Sequence, residues 1–503
     1  MLNSVLSSVK AKAAEHRSFL LLMVFYILLS TFMLDNYPRV WVDEPWESIT
    51  ASTLAREGKM YNPVLENSNG FDKIFLQPRI VMDLVLAPVY GTFGTGPIQG
   101  RLASAACGAL LMAGVYLFAG KIFSRRAALL ATWFTMIETM MFIAYRTIRP
   151  EIYLVTLELF SLIFFFRGME SRQTKAFLLS GLFSGVALWT HPNAALHVIA
   201  LTAILISVYR ARTLTSPGVW GFAAGTLAGL LPYLLYVIVS DAQNSFATFF
   251  SQLGDRTGAV AQPHWFMTSL MGEWGRVLEY MRFPSRAAIV AIFIFAWIYS
   301  VISQKREART IAVVVGLEAL GSFLIISSKT VFYSTSVLPL LCILSAFVTD
   351  RWLGERRTPA QYFSGVFHPQ HRRTLLAAIL FAVLTLNQLG GDASLLWQQR
   401  NCSYRETLRL LQSAIPPGTR VWGSITFWFG FQHQPFRSQY TYMNDIYTFK
   451  PEYIITGDAE TWGKDIWAPV RARAEEVITQ RGLLIAELPQ SCYGTLRVYH
   501  LQW

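Results

Sequence analysis

Charged residues are scarce in this chain. They make up 15% of the 503 residues, hydrophobic residues make up 53%, and the mean hydropathy is positive. Soluble chains of this length rarely combine these values. The apolar residues also cluster into runs such as FLLLMVFYILLSTFML at 19–34, close to the roughly 20 residues that a helix needs to cross a bilayer. The composition therefore predicts a membrane protein with many helical spans.

Several catalytic motifs are also missing. The chain has no phosphate-binding loop, dinucleotide fingerprint, nucleophile elbow or zinc-protease helix, which disfavours energy-coupled pumps and common hydrolases. His191, in WTHPN, has no second histidine or cysteine at ligand spacing nearby. We therefore predict no metal site there, and a structural role is the ordinary one for such a histidine.

About eleven apolar stretches have the length and composition of membrane helices. They lie at 18–36, 96–119, 127–145, 149–166, 176–190, 194–209, 218–240, 287–303, 310–327, 332–349 and 374–390. Lysine and arginine recur in every second connection, such as 121–126 and 305–309, and the positive-inside rule places these connections in the cytoplasm. This distribution accounts for the formal net charge of +12 without a nucleic-acid partner. It predicts a cytoplasmic N-terminus, an uncleaved first span and an extracytoplasmic C-terminus.

Two external connections, 37–95 and 241–286, are long enough to carry a functional site. The first includes a short apolar stretch, 80–90, which is interrupted by Asp83 and Pro88 and suits a helix on the membrane surface. We predict that residues 1–390 form the membrane domain, and that residues 391–503 form a small extracytoplasmic α/β domain with helices at 404–414 and 467–480.

The chain has only four cysteines. Cys107 and Cys342 fall inside predicted spans, whereas Cys402 and Cys492 fall in the exported domain, where oxidising conditions permit a disulfide. Because a sequence contains no distance between two residues, a disulfide and two free thiols are equally open interpretations.

Three carboxylates, Asp43, Glu44 and Glu47, follow the first span within five residues. If Pro45 begins a helix, Asp43 and Glu47 lie on one face, and so do Glu44 and Glu47. Such a cluster at an external cavity suits a general base. Two other interpretations stay open: Asp43 as an ordinary helix cap, and a divalent metal at Asp43 and Glu44.

A second cluster, RTIRPE, contains Arg146, Arg149 and Glu151 at the external mouth of the third and fourth predicted spans. Its arginines break the positive-inside pattern. Arg79, Arg101 and Lys329 also lie at external ends, and together these cations predict a phosphate-binding pocket. The alternative is that each one reaches the lipid headgroups as an interface residue.

Three further segments carry a family resemblance. They are AREGKMYNP at 55–63, RLASAACGALLMAGVYLFAGKIFSRRAALLA at 101–131, and SSKTVFYSTSVLPLL at 327–341. Together with the Asp43–Glu44 pair, they resemble the GT-C polyprenyl-phosphate-sugar glycosyltransferases, which include protein O-mannosyltransferases and the aminoarabinose transferases that modify lipid A. Where these relatives commonly have Lys-Pro-Pro in the first loop, this chain has Gln77, Pro78 and Arg79, and where many have lysine after the fifth span it has His191.

This resemblance implies an all-α, GT-C-like membrane enzyme that moves a sugar from a polyprenyl-phosphate donor to an envelope glycan, lipid or protein. Transfer would occur among membrane lipids at the extracytoplasmic face, with inversion. No cofactor is assigned, and a divalent metal at Asp43 and Glu44 stays an open interpretation. The resemblance implies catalytic roles for Asp43 and Glu44. The implied substrate-binding residues are Glu47, Arg79, Arg101, Arg146, Arg149, Glu151, His191, Lys329 and Tyr333. The alternative is a multispan transporter or lipid flippase, which would have charges near the bilayer midplane.

Overall fold

The structure is a computed structural model that describes residues 16–66, 69–244, 246–257, 265–282, 286–326, 330–354, 369–438, 446–457 and 468–503. Its membrane part is helical. The helices are α1 Arg17–Thr31, α2 Asp43–Glu57, α3 Ile80–Phe93, α4 Pro97–Ile122, α5 Arg125–Ile137, α6 Thr139–Ala144, α7 Pro150–Ser171, α8 Thr174–Leu188, α9 Ala194–Tyr209, α10 Pro217–Asp241, α11 Ala247–Thr257, α12 Trp265–Met281, α13 Arg286–Val301, α14 Arg306–Ile325, α15 Leu338–Leu353 and α16 Pro369–Gln398.

Helices occupy each apolar stretch that the sequence predicts as a span. Within the described ranges, six are long and apolar enough to cross a membrane, or seven if α12 and α13 count as one bent span. The count of eleven is therefore not confirmed. One physical reason is visible in the predicted span 127–145, which is divided between α5 and α6 at Glu138. The carboxylate of Glu138 accepts a hydrogen bond from the Met141 amide (2.8 Å) and so caps a new helix.

Helices α8 and α10 pack closely because glycines face the partner helix at four-residue spacing. Gly181 and Gly185 lie on α8, and Gly225 and Gly229 lie on α10. A Cβ atom at Gly225 would lie 2.0 Å from the carbonyl oxygen of Leu178, so no larger residue fits without separating the helices. Small residues at this spacing are typical of helix pairs in membranes.

The connection 37–95 contains two helices. α2 begins at Asp43 and ends at Glu57, and the following Gly58 has a left-handed backbone (φ 68°) that suits glycine. α3 covers the apolar stretch predicted at 80–90 and is too short to span a bilayer. It buries Met82 and Leu86 and exposes Leu84 on its opposite side.

The C-terminal part contains a five-stranded sheet. Its strands are β1 Val421–Gly423, β2 Phe436–Ser438, β3 Tyr453–Thr456, β4 Gly482–Ser491 and β5 Gly494–Leu501, in the order β2-β1-β3-β5-β4. β1 pairs in parallel with β2 and β3, while β5 pairs antiparallel with β3 and β4. The helices here are α17 Tyr404–Ala414, α18 Trp428–Phe431, α19 Ile446–Phe449 and α20 Ala468–Arg481. A mostly helical membrane part with a small α/β unit is thus confirmed.

The two cysteines of the C-terminal part form a disulfide. Cys402 and Cys492 have their Cα atoms 5.1 Å apart and join positions separated by 90 residues. α16 continues to Gln398, past the predicted boundary near residue 390. The division into two domains at that point stays a prediction.

Candidate active site

Asp43 is the first residue of α2. The cap position is occupied by Val42, and no side chain caps this helix end, so the capping interpretation of Asp43 is wrong. The Asp43 side chain is 41% exposed, whereas the side chains of Glu44 and Glu47 are almost fully buried. An acidic residue in the first helical turn is favoured by the helix dipole. Asp43 therefore presents a partly exposed carboxylate without serving as the cap.

Arg149 links Asp43 to Glu151. Its guanidinium donates one hydrogen bond to Asp43 and two to Glu151, at 3.1 Å from Nε to Oε2 and 2.7 Å from Nη2 to Oε1. The Arg149 and Glu151 side chains are 12% and 2% exposed. This two-bond pairing fixes the plane of the guanidinium, which then holds the half-exposed carboxylate of Asp43 in one orientation.

Arg149 keeps its positive charge in the folded protein. Burial by itself would lower the pKa of Arg149, but the carboxylates of Glu151 and Asp43 outweigh it and raise this pKa above its ordinary value. The guanidinium also lies over the Phe332 ring, 4.1 Å from its centroid. Sequence reasoning did not select Phe332, although it precedes the predicted Tyr333 in the segment SSKTVFYSTSVLPLL.

His191 and Tyr333 complete this group. Their rings lie 5.1 Å apart, and His191 is near enough to Glu151 to interact with it electrostatically. Nδ1 of His191 accepts a hydrogen bond from the Asn193 amide at 3.2 Å, which orients the ring. The structure thus brings five predicted residues together, namely Asp43, Arg149, Glu151, His191 and Tyr333. Lys329 lies outside the described residues.

Glu44 lies in a different environment from Asp43. Its two carboxylate oxygens accept hydrogen bonds from Arg101, at 2.8 Å from Nε and 2.6 Å from Nη2, and the pair is almost completely buried. The Ile148 amide adds a third hydrogen bond at 3.2 Å. Arg101 also donates to the Leu34 carbonyl at 2.6 Å. The buried Arg101–Glu44 ion pair therefore connects α2 to α4. The hydrogen bond from the Ile148 amide connects Glu44 to the chain just before Arg149.

Glu47 and Arg79 form a second buried ion pair. Arg79 also donates to the Trp46 carbonyl (3.1 Å) and to the Thr50 hydroxyl (3.0 Å). Both side chains are less than a tenth exposed. Nη1 and Nη2 of Arg79 thus donate to groups within the protein, and these hydrogen bonds connect α2 to the start of α3.

Asp83 lies on α3 beside this ion pair and is fully buried. Within the described residues its carboxylate oxygens have no hydrogen-bond partner. Burial raises the pKa of Asp83 to about 8, although Arg79 opposes the shift. Sequence reasoning treated Asp83 only as an interruption of an apolar stretch, because a burial of this kind depends on packing between helices.

Arg146 supports the end of α1. It donates hydrogen bonds to the carbonyls of Leu29, Phe32 (2.7 Å) and Tyr37 (2.8 Å). It is fully buried, so the alternative in which it reaches lipid headgroups is wrong for this arginine. These contacts hold the chain that follows α1 against Arg146.

The carboxylates of the site do not suit a metal ion. Asp43 is paired with Arg149 and Glu44 with Arg101, so each carboxylate already faces a cation. In the part of the chain that the structure describes, no group of three or more His, Cys, Asp or Glu residues has a metal-binding arrangement. The metal interpretation of Asp43 and Glu44 therefore has no geometric support, and no chemical step is assigned to a metal.

Known proteins share this architecture. Residues 77–236 match the family of dolichyl-phosphate-mannose-protein mannosyltransferases. The structure of ArnT from Cupriavidus metallidurans in the apo state matches 97% of this chain and 98% of its own, with a TM-score of 0.63 and 17% identity. The same protein bound to undecaprenyl phosphate gives a TM-score of 0.61 and 15% identity, over 96% of this chain and 98% of its own.

A more distant match is the oligosaccharyltransferase AglB from Archaeoglobus fulgidus, in complex with an inhibitory peptide and a dolichol-phosphate. Its TM-score is 0.51 at 11% identity, covering 96% of this chain and 74% of that one. No curated protein sequence matches significantly. The chain thus has the fold of the GT-C glycosyltransferases, which confirms the resemblance. Within that class, residues 77–236 carry the sequence pattern of the mannosyltransferase family.

Proposed function

We propose that this protein transfers a glycosyl group from a polyprenyl-phosphate donor to an acceptor hydroxyl at the extracytoplasmic face of the membrane. The observation that carries the proposal is the Asp43–Arg149–Glu151 arrangement, in which one accessible carboxylate is oriented by a buried, permanently charged guanidinium. The fold supports it, since ArnT has been solved with undecaprenyl phosphate and AglB with a dolichol-phosphate.

The proposed reaction is a single displacement at the anomeric carbon. The acceptor oxygen forms a bond to that carbon while the bond to the donor phosphate oxygen breaks. The bonding electron pair leaves with the polyprenyl phosphate, and the hydroxyl proton passes to a carboxylate oxygen of Asp43. Attack from the side opposite the leaving group inverts the configuration. The sugar and the acceptor are not specified by these residues.

Other residues support this reaction by position. Glu151 holds Arg149, and Arg149 holds the Asp43 carboxylate in one orientation. His191 and Tyr333 line the same region and are proposed to contact the donor. We propose structural roles for Glu44, Glu47, Arg79, Arg101 and Arg146, because their polar contacts lie inside the fold.

The test uses the full-length protein in lipid nanodiscs with radiolabelled polyprenyl-phosphate sugars and envelope extracts. Asp43→Asn should lower the transfer rate by about 100-fold or more, the usual contribution of a general base. Glu57→Gln, at the exposed opposite end of the same helix, is the matched control and should transfer normally. Equal rates for Asp43→Asn and wild type would reject Asp43 as the base. Transfer from nucleotide sugars without a lipid carrier would reject the donor class.

One observation favours the transporter alternative. Glu158, His197 and Glu318 are buried within α7, α9 and α14 and line one small cavity, with Nδ1 of His197 2.8 Å from Oε1 of Glu318. Ionisable residues inside spans often mark a transport path. The test measures whether wild-type protein in vesicles moves a fluorescent polyprenyl phosphate between leaflets. Movement that is lost in Glu158→Gln but kept in Asp43→Asn would favour transport over transfer.

A further inference from the structure

A short segment of chain leads directly to the proposed base. Residues 32–42, which we call the connecting segment, run from the end of α1 to the first residue of α2. On its inner side it is held by Arg101, which binds the Leu34 carbonyl, and by Arg146, which binds the carbonyls of Phe32 and Tyr37. Because Asp43 follows immediately, any shift of this segment moves the carboxylate relative to Arg149.

The C-terminal part holds the other side of the connecting segment. The Ser403 hydroxyl donates to Asp35 (2.9 Å), and the Asn36 side-chain amide donates to the Arg400 carbonyl (3.0 Å). Arg39 donates to the Cys492 carbonyl at 3.3 Å. These contacts come from two strips of the C-terminal part, 400–403 and 492–493, that lie far apart in sequence.

Among these contacts with the connecting segment, the one from Tyr493 is nearest to Asp43 along the chain. Its hydroxyl donates to the Val40 carbonyl at 3.1 Å, three residues before Asp43. The ring is almost fully buried and packs edge-on against Phe427 and Tyr404, with centroids 5.5 and 6.2 Å away. Burial is the main cause that raises the pKa of Tyr493 above its ordinary value, so the hydroxyl keeps its proton and acts as a donor.

The disulfide joins the two strips that hold the segment. Cys402 directly precedes Ser403, and Cys492 directly precedes Tyr493. Tyr493 lies in the turn between β4 and β5, followed by Gly494 in a left-handed conformation (φ 76°). The Ser491 hydroxyl orders this turn by accepting from the Tyr493 amide (3.1 Å) and donating to the Gly494 carbonyl (2.7 Å), and the covalent link to Cys402 ties the turn to the strip 400–403.

We propose that Tyr493 is a positioning residue for the transfer reaction, and that the Cys402–Cys492 disulfide holds it in place. The C-terminal part thereby takes part in setting the position of Asp43. This inference rests on the proposed function, because Asp43 is the base only if the protein is a glycosyltransferase.

The experiment compares full-length protein in nanodiscs as wild type, Tyr493→Phe and the double variant Cys402→Ser/Cys492→Ser. Tyr453→Phe is the matched control, since Tyr453 lies on β3 with its ring against His500. Tyr493→Phe should lower kcat by about three- to tenfold, the loss expected from one hydrogen bond. The donor KM should change less than twofold, because donor contacts are untouched. Loss of fold would instead lower the melting temperature.

Hydrogen exchange gives a readout that does not depend on activity. Amides of peptide 32–42 should exchange faster in the double variant and in Tyr493→Phe, with exchange in α17 and the sheet unchanged in Tyr493→Phe. Unchanged kcat and unchanged exchange in Tyr493→Phe would overturn the inference, even if the double variant fails to fold. If wild-type protein transfers no sugar, the proposed function fails, and the exchange result still decides whether Tyr493 holds the segment.

Discussion

The Asp43 carboxylate is hydrogen-bonded to the Arg149 guanidinium, which lies 106 residues later in the chain. The two residues stand at the first turn of α2 and just before α7. Neither helix alone contains the pair. The relationship distinguishes Asp43 from its neighbour Glu44, whose arginine partner is fully buried.

Arg149→Lys should separate charge from geometry. A lysine ammonium keeps the positive charge but cannot bond both oxygens of Glu151 while also reaching Asp43. We expect the transfer rate to fall by about 100-fold, comparable to the loss of an oriented electrostatic group. Arg167→Lys, on the exposed face near the other end of α7, controls for the substitution and should leave the rate unchanged. Normal transfer by Arg149→Lys would show that charge alone suffices.

Glu44→Gln should reduce stability as well as activity. The change leaves Arg101 charged, buried and without its anionic partner, which typically costs about 3–5 kcal/mol. The melting temperature in nanodiscs should therefore fall. Asp43→Asn should lower activity with little thermal change, because its carboxylate is half-exposed. Glu170→Gln, which alters an exposed ion pair with Lys121, should leave the melting temperature unchanged. A normal melting temperature for Glu44→Gln would argue against a structural role.

Asp83 should make stability depend on pH. Because burial raises the folded-state pKa of Asp83 to about 8, the folded protein keeps a proton that the unfolded chain releases at lower pH. The contribution of Asp83 to the free energy of unfolding is fully present below the ordinary aspartate pKa and is lost as pH rises toward 8. The melting temperature of wild type should fall between pH 5 and pH 8. In Asp83→Asn this fall should be smaller, by a few degrees at pH 8. Asp72→Asn is the control, and identical profiles for Asp83→Asn and wild type would refute the assignment.

Gly225→Ala should disrupt the contact between α8 and α10. The added Cβ would meet the Leu178 carbonyl at 2.0 Å, and this backbone atom cannot move aside alone. We expect several degrees of lost thermal stability or poor expression. Gly91→Ala in α3 has open space around its Cβ position and should be neutral or slightly stabilising. Equal melting curves for the two variants would show that the helices can separate at little cost.

Much of the fold was predictable from periodicity and composition. Long apolar runs become helices in a membrane because the backbone must satisfy its own hydrogen bonds there, so stretches such as 97–122 and 217–241 could be located directly. The helix Tyr404–Ala414 in the C-terminal part was predicted with the bounds that the structure shows. Ser403 caps its N-terminus, and the Ser403 hydroxyl accepts a hydrogen bond from the Glu406 amide at 3.1 Å. The break at Glu138 was missed, because a buried carboxylate inside an apolar run has no strong local signal.

Hydropathy and charge are local properties, so the amino-acid pattern was enough to predict a polytopic helical protein with carboxylates and arginines at the ends of its spans. Which of these residues pair with one another became clear from the folded arrangement of the helices. Three acidic residues within five positions receive three different partners: Asp43 meets Arg149, Glu44 meets Arg101 and Glu47 meets Arg79. The disulfide between Cys402 and Cys492 was undecided for the same reason. Pairing and burial depend on distances between segments far apart in the chain, which spacing along one helix does not contain.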